Sequence, residues 1–111
     1  MSTALSQARG ATDVPLLETT IGATLEATAA RFADREALVA VQQDIRWSWR
    51  RFDDEVNRVA RGLVAMGLAK GERLGVWAPN VAEWTLVQFA TAKLGVILVN
   101  INPAYRTHEL S

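Results

Sequence analysis

The residues best suited to binding a substrate lie near the end of the chain, in the stretch Asn-Ile-Asn-Pro-Ala-Tyr at positions 100–105. They end a run of β-branched residues that predicts a buried parallel strand, and ligands of open α/β sheets bind beyond the carboxyl ends of such strands. The amides of Asn100 and Asn102 and the phenol of Tyr105 can hydrogen-bond a substrate. Asn102 followed by Pro103 is equally typical of a turn that ends a strand. From the residues alone, both interpretations stay open.

Other reactive groups are few. The chain has one histidine, His108, and no cysteine, so it has neither a disulfide nor a thiolate site. His108 and Glu109 begin like a zinc-protease motif, but the chain ends at Ser111 before a second histidine can follow. Residues 67–71 contain two glycines and a lysine without the rest of a phosphate-binding loop, which predicts a helix end and a turn. We predict no metal site, no cofactor-binding residue and no catalytic residue in this chain.

Four tryptophans raise the alternative of ligand stacking. Trp47 and Trp49 alternate on one predicted strand, while Trp77 and Trp84 flank the turn at Pro79. Tryptophan buries a large apolar area, and these positions match the expected periodicity of a core. We therefore predict packing rather than stacking on a ligand.

Composition limits the class of protein. The chain has 111 residues, half of them hydrophobic, and 12 basic residues balance 12 acidic ones. One small domain with a genuine core is expected, and the missing basic excess argues against nucleic acid as a main partner. No apolar run is long enough to cross a bilayer. Residues 1–15 are small and polar, which predicts a disordered tail before a folded part at 16–111.

The first half predicts a helix, a hairpin and a second helix. Thr20 is positioned to cap a helix over 21–32, and alternating residues predict strands at 37–41 and 45–49. A helix over 50–66 carries one apolar face, and Asp54 and Arg58 are spaced to pair on its surface. Gly67 predicts its end in a Schellman motif.

The second half predicts a strand–helix–strand unit. The strands cover 73–77 and 96–101, and Gly95 ends the helix between them. We expect Asn80 to cap this helix, with Glu83 completing a capping box. The fold class is therefore α/β, a β-hairpin plus a βαβ unit with a parallel pair of strands. Thr107 is expected to cap a further helix, so the chain is expected to be cut from a longer protein.

From Leu16 onward, nearly the whole chain resembles the N-terminal end of AMP-forming acyl-CoA synthetases, in the adenylate-forming superfamily. The resemblance covers residues 20–39, 46–80 and 83–110. Its most specific part is Val-Asn-x-Asn-Pro-x-Tyr at positions 99–105, which is similar to the branch that activates fatty and medium-chain acids. Relatives that activate amino acids usually carry an Asp after the proline instead.

The resemblance implies part of the large N-terminal domain of a two-step ligase. ATP and a fatty acid would form an acyl-adenylate, Mg²⁺ would offset phosphate charge, and coenzyme A would then displace AMP. The family's phosphate loop, nucleotide motifs and catalytic lysine come after the matching region, so this segment alone is expected to be inactive. At most, Asn102, Pro103 and Tyr105 match a motif that borders the acyl-substrate region.

Two other interpretations stay open: a standalone interaction module that pairs with a full-length synthetase, and a non-functional remnant of one. We expect a cytoplasmic protein. Homo-oligomerisation, peripheral membrane association and acyl chain length are left open by the residues.

Overall fold

The structure, a computed structural model, describes residues 6–111. Residues 6–20 form no helix or strand, and residues 1–5 of the predicted tail lie outside the described part. The order of elements agrees with the predicted fold class. The elements, in chain order, are α1 (Ile21–Arg31), β1 (Glu36–Ala40), β2 (Ile45–Ser48), α2 (Trp49–Ala65), β3 (Arg73–Trp77), α3 (Ala82–Leu94), β4 (Ile97–Ile101) and α4 (Thr107–Leu110).

The four strands form two separate two-stranded sheets. Strands β1 and β2 pair antiparallel as the predicted hairpin, with a register shift between Glu36 and Leu38. Strands β3 and β4 pair parallel, with Arg73 opposite Ile97 and Trp77 opposite Ile101. Because parallel strands run in one direction, both carboxyl ends of the second sheet lie at the same edge. This edge is where the candidate site is found.

The three long helices enclose one core. Phe52 lies at its centre, with its ring edge-on to Trp49 at 6.1 Å and to Phe89 at 5.6 Å between centroids. Such edge-to-face pairs match the charge distribution of aromatic rings. The buried apolar residues of this core come from α1, α2 and α3: Leu25, Phe52, Val56, Ala60, Leu63, Leu86 and Ala90.

The predicted second strand was one residue too long. Trp49 is the first residue of α2, because the Ser48 hydroxyl accepts a hydrogen bond from the Arg51 N–H and begins the helix there. Trp47 and Trp49 therefore do not share a strand face, although both pack against the core as expected. Trp77 does not, since it is 54% exposed.

The end of α2 is the predicted Schellman motif. Gly67 has φ +95°, and the Leu68 N–H reaches back to the Leu63 carbonyl at 3.2 Å. The predicted pair of Asp54 with Arg58 was wrong. Glu55, one residue along, lies between two arginines and accepts from Arg51 at 3.0 Å and Arg58 at 3.3 Å.

A buried lysine on α3 ties the three long helices together. Only 9% of the Lys93 side chain is exposed, and its ammonium donates to Asp53 at 2.7 Å, Asn57 at 2.8 Å and Glu26 at 3.2 Å. The acceptors lie on α2 and α1. The contact is close because α1 presents Gly22, where a Cβ would lie 3.1 Å from Lys93 Cγ.

One face of the β3–β4 sheet packs on the helices, and the other is open. Register places Trp77, Ile97 and Val99 on the open face, where they are 54%, 48% and 41% exposed. Parallel sheets in folded domains are usually covered on both faces. The sheet therefore exposes apolar side chains on a face of the kind that is usually covered.

Thr107 is the first residue of α4 rather than its cap, so that prediction was wrong. The helix has four residues, and the Glu109 carboxylate accepts a hydrogen bond from the Arg106 N–H at 2.9 Å. Within residues 6–111, no helix is both long and apolar enough to cross a bilayer.

Candidate functional site

A cavity of about 370 Å³ opens at the carboxyl ends of β3 and β4. Its walls come from the loop after β3, the first turn of α3, and the end of β4 with the turn that follows it. The lining residues are Ala78, Asn80, Trp84, Asn100, Asn102, Pro103 and Tyr105. Side-chain amides and aromatic rings thus converge where ligands of open α/β sheets bind.

Asn102 has a structural part in this wall. Its Oδ1 accepts a hydrogen bond from the Ala104 N–H at 3.0 Å, and its carbonyl accepts from the Tyr105 N–H at 3.0 Å. These bonds form a tight turn of the Asx type. Asn102 therefore ends the strand in a turn and also lines the cavity, while its part in binding a substrate stays a prediction. Its side-chain NH₂ is a donor that the turn does not use.

Trp84 belongs to the first turn of α3, whereas most of the other lining residues follow the strands. It is half-buried, and its backbone N–H donates to the Val81 carbonyl at 3.1 Å. Trp84 and the partly exposed Tyr105 give the cavity two aromatic surfaces beside its amide groups.

The predicted cap of α3 was wrong. The helix begins one residue later than expected, at Ala82, and its N-cap Val81 has no side chain that can accept a hydrogen bond. Asn80 instead faces the cavity, and Glu83 does not complete a capping box with it. A capping box requires the cap and the carboxylate to be three residues apart, and the later start places Glu83 only two residues after the cap.

The missing cap is supplied by Gln43, from the hairpin turn. Its Oε1 accepts a hydrogen bond from the Ala82 N–H at 2.8 Å, and its Nε2 donates to Glu83 at 2.9 Å. This donation from Gln43, with a smaller contribution from the backbone N–H of Glu83, lowers the pKa of Glu83 below its ordinary value of 4.5. A carboxylate at a helix N-terminus also interacts favourably with the helix dipole.

The three residues that the sequence singled out, Asn102, Pro103 and Tyr105, all line the cavity. Their role in binding a substrate stays a prediction. The sequence analysis assigned Asn80 to a helix cap and Trp84 to packing, so it did not predict that both line the cavity. The signal was present, since the rule about strand carboxyl ends applies to β3 as much as to β4.

A second depression, of about 380 Å³, lies between the N-terminal segment and the helices. Leu17, Leu25, Trp49 and Phe89 give it an apolar lining, with three threonines at the rim. It lies away from the strand ends and brings together no amide or charged side chain. The strand-end cavity is therefore the candidate site.

The donor set of the cavity does not fit a magnesium ion. Mg²⁺ prefers carboxylate oxygens in octahedral geometry, and the cavity lining contains no Asp or Glu. In the part of the chain that the structure describes, no group of three or more His, Cys, Asp or Glu residues is placed to hold a metal. We therefore assign no metal ligand to these residues.

Known proteins are similar to this chain in both sequence and fold. The family model described as "AMP-binding enzyme" matches residues 25–111. The mouse medium-chain acyl-CoA ligase ACSF2, a mitochondrial protein by its name, is 51% identical over 106 residues, which are 96% of this chain and 17% of the mouse protein. The match thus includes the cavity residues.

Two solved structures from Mycobacterium tuberculosis superpose well. The inhibitor-bound N-terminal domain of FACL13 has a TM-score of 0.80 and 33% identity, over 83% of this chain and 23% of that one. A fatty acyl CoA synthetase gives 0.80 and 33%, over 83% of this chain and 18% of that one.

The likeness to these structures defines the general class: the fold is that of the N-terminal part of adenylate-forming enzymes. The extent of the family match settles the membership: the chain belongs to the AMP-binding enzyme family. It spans about 17% of the length of the curated relative that it matches, in the N-terminal part.

Proposed function

We propose that the protein carrying this chain is an AMP-forming ligase of medium-chain or fatty acids. The observation that supports it best is 51% identity with a medium-chain acyl-CoA ligase along 96% of this chain. The carboxylate of the acid attacks the α-phosphorus of ATP and releases pyrophosphate. The thiol of coenzyme A then attacks the acyl carbon and releases AMP. Mg²⁺ would supply charge neutralisation for the phosphates.

Within this reaction, we assign the chain a binding role rather than a catalytic one. The strand-end cavity would border the acyl group of the acid. Trp84 and Tyr105 offer apolar surface to the chain of the acid, and Asn102 offers an amide donor to its polar end. Apart from the phenol of Tyr105, the lining residues offer no nucleophile or general base, so the groups that carry the chemistry would come from the remainder of a longer protein.

The test begins with the endogenous protein. It is captured through an antibody to residues 46–80, and its intact mass is measured before AMP release is assayed. We expect a species several times heavier than 12.2 kDa. AMP release should require octanoic or palmitic acid together with ATP and coenzyme A. Release supported only by an amino acid, or no release from a heavy species, would refute the ligase assignment.

The cavity is tested in that same protein by changing Asn102. Asn102→Asp keeps the oxygen that accepts from Ala104 but replaces the NH₂ donor with a negative charge. We expect KM for the acid to rise about fivefold or more while kcat changes little, since an unsatisfied polar group costs about 1–3 kcal/mol. His108→Gln, at an exposed residue outside the cavity, is the matched control. Equal KM values in both variants would contradict a substrate role for Asn102.

A second candidate function is an interaction module that pairs with a full-length synthetase. The apolar open face of β3–β4 favours it, because exposed apolar patches mark contact surfaces. A stable endogenous species at 12.2 kDa would support this candidate and exclude catalysis by the chain alone.

Location and assembly are part of the proposal. A cytoplasmic protein remains our expectation, while the mouse relative carries a mitochondrial name. Cell fractionation with the same antibody distinguishes the two compartments and detects a membrane-bound pool. Size-exclusion chromatography with light scattering measures whether the protein is a homo-oligomer.

A further inference from the structure

The hairpin β1–β2 and the sheet β3–β4 share no strand pairing, yet one side chain connects the hairpin to the site. Gln43 makes two kinds of hydrogen bond to the start of α3. Its Oε1 accepts from the Ala82 N–H at 2.8 Å, and its Nε2 donates to both oxygens of Glu83, at 2.9 and 3.2 Å. A residue 39 positions earlier in the chain thus acts as the cap of α3.

The hairpin turn is built in a way that presents this side chain. Residues Val41–Gln43 form a 3₁₀ turn, and Asp44 follows in the left-handed region with φ 53°. The Asp44 N–H closes the turn on the Val41 carbonyl at 3.2 Å. Aspartate tolerates this conformation better than most residues with a side chain. Gln43 is therefore the last residue of a fixed turn and not part of a loose loop.

The capped turn of α3 carries one wall of the cavity. Trp84 lies two residues after Ala82, and its backbone N–H bonds the N-cap residue Val81. Asn80 precedes that cap, and both Asn80 and Trp84 line the cavity. Any change in where α3 begins therefore moves both side chains.

We infer that Gln43 is a positioning residue for the strand-end cavity, fixing the Asn80–Trp84 wall by capping α3 from the hairpin. That this wall faces the acid rests on the proposed function, but the positioning itself does not. Glutamine suits the task because one amide supplies an acceptor for the N–H and donors for the carboxylate. Glutamate lacks the donors, and asparagine is one methylene shorter.

The contact is tested by NMR on the 111-residue chain. Gln43→Ala removes both bonds, Gln43→Glu keeps only the acceptor, and Gln42→Ala changes the exposed neighbour in the same turn as a control. The readouts are hydrogen exchange of the Ala82 amide, the titration of Glu83 and the indole N–H resonance of Trp84. A general loss of packing would move all amides together and would not single out these three groups.

In Gln43→Ala we expect exchange at Ala82 to become about three- to thirtyfold faster, the range that loss of a helix cap implies. The pKa of Glu83 should rise toward 4.5, because the hydrogen bond from Gln43 that lowers it most is gone. The Trp84 indole resonance should shift. Gln43→Glu should protect Ala82 but raise the pKa of Glu83, since two carboxylates then face each other. If Gln43→Ala behaves like Gln42→Ala in all three readouts, the inference is overturned.

An assay of AMP release distinguishes a failure of this inference from a failure of the proposed function. In the protein that releases AMP, Gln43→Ala should raise KM for the acid about three- to thirtyfold with kcat nearly unchanged, because the wall is displaced but not removed. An unchanged KM beside a wild-type rate would overturn the part of the inference that places this wall against the acid, and it would leave the ligase assignment intact. A wild-type protein without acid-dependent AMP release would overturn the ligase assignment, and the NMR readouts would still decide the role of Gln43.

Discussion

Replacing Lys93 by methionine should destabilise the fold more than replacing any other charged residue in the described part of the chain. Methionine keeps the Cβ and Cγ that pack near Gly22, so the substitution removes the ammonium and little else. The ammonium is the only group in the described part of the chain that bonds both α1 and α2 from α3.

The magnitude follows from the exposure of the three acceptors. Asp53 is 20% exposed and lies 2.7 Å from the ammonium, so its loss approaches the ~1.5–3 kcal/mol of a charge-assisted hydrogen bond. Glu26 is 63% exposed, so water screens its pair and about 0–1 kcal/mol is lost there. The new methionine recovers some apolar burial. We therefore expect the free energy of unfolding to fall by about 2–3 kcal/mol.

Urea unfolding followed by tryptophan fluorescence measures this loss, and thermal melting should show a decrease of about 10 °C for a chain of this size. Lys70→Met is the matched control, since Lys70 is the other lysine of the chain and is exposed. It should change the free energy of unfolding by less than about 0.5 kcal/mol. Asp53→Asn, combined with Lys93→Met, should cost less than the sum of the single changes, by about 1–2 kcal/mol. Equal unfolding curves for Lys93→Met and Lys70→Met would refute the role of the ammonium.

Two further predictions concern backbone conformation and pH. Gly95→Ala should lower stability by about 1–2 kcal/mol, because φ is +74° and the added Cβ would lie 2.9 Å from Lys70 Cγ. Gly62→Ala, in open space on α2, should raise it by about 0.5–1 kcal/mol, so urea curves that shift in the same direction for both would contradict this reasoning. Because the folded pKa of Glu83 lies below 4.5, its stabilising contribution is complete above about pH 4.5 and disappears as the pH falls through the lowered value. Acid unfolding of Glu83→Gln should lack this contribution, and identical pH profiles for the variant and the wild type would count against it.

Most elements could be predicted because the residues that begin or end them lie next to them in the sequence. Thr20 caps α1 as expected, and Gly67 and Gly95 end their helices with positive φ. The parallel pairing of β3 with β4 followed from the length of the connection between them. In each case, the residues that decide the structure are close in sequence to the structure they decide.

The error at the start of α3 came from a contact between residues distant in sequence. Asn80 is a good cap by type, but Gln43 occupies that role from the hairpin, and no local pattern could reveal it. Glycine inside a helix usually weakens it, but the small size of Gly22 allows Lys93 to pack closely against α1. The cavity was predicted only in part for the same reason. The residues after β4 are close in sequence and form a motif, whereas Asn80 and Trp84 come near them only because β3 and β4 pair in parallel.

The open face of β3–β4 has a consequence for how the chain behaves at high concentration. Each of these strands also has one unpaired edge, so a second molecule could add its own strand beside them. Arg73 is exposed and opens β3 on the same side as Ile97, which makes it the charge that guards this face against stacking. Arg73 is the only charged residue of these two strands, so salt, which screens its charge, should promote association through this face.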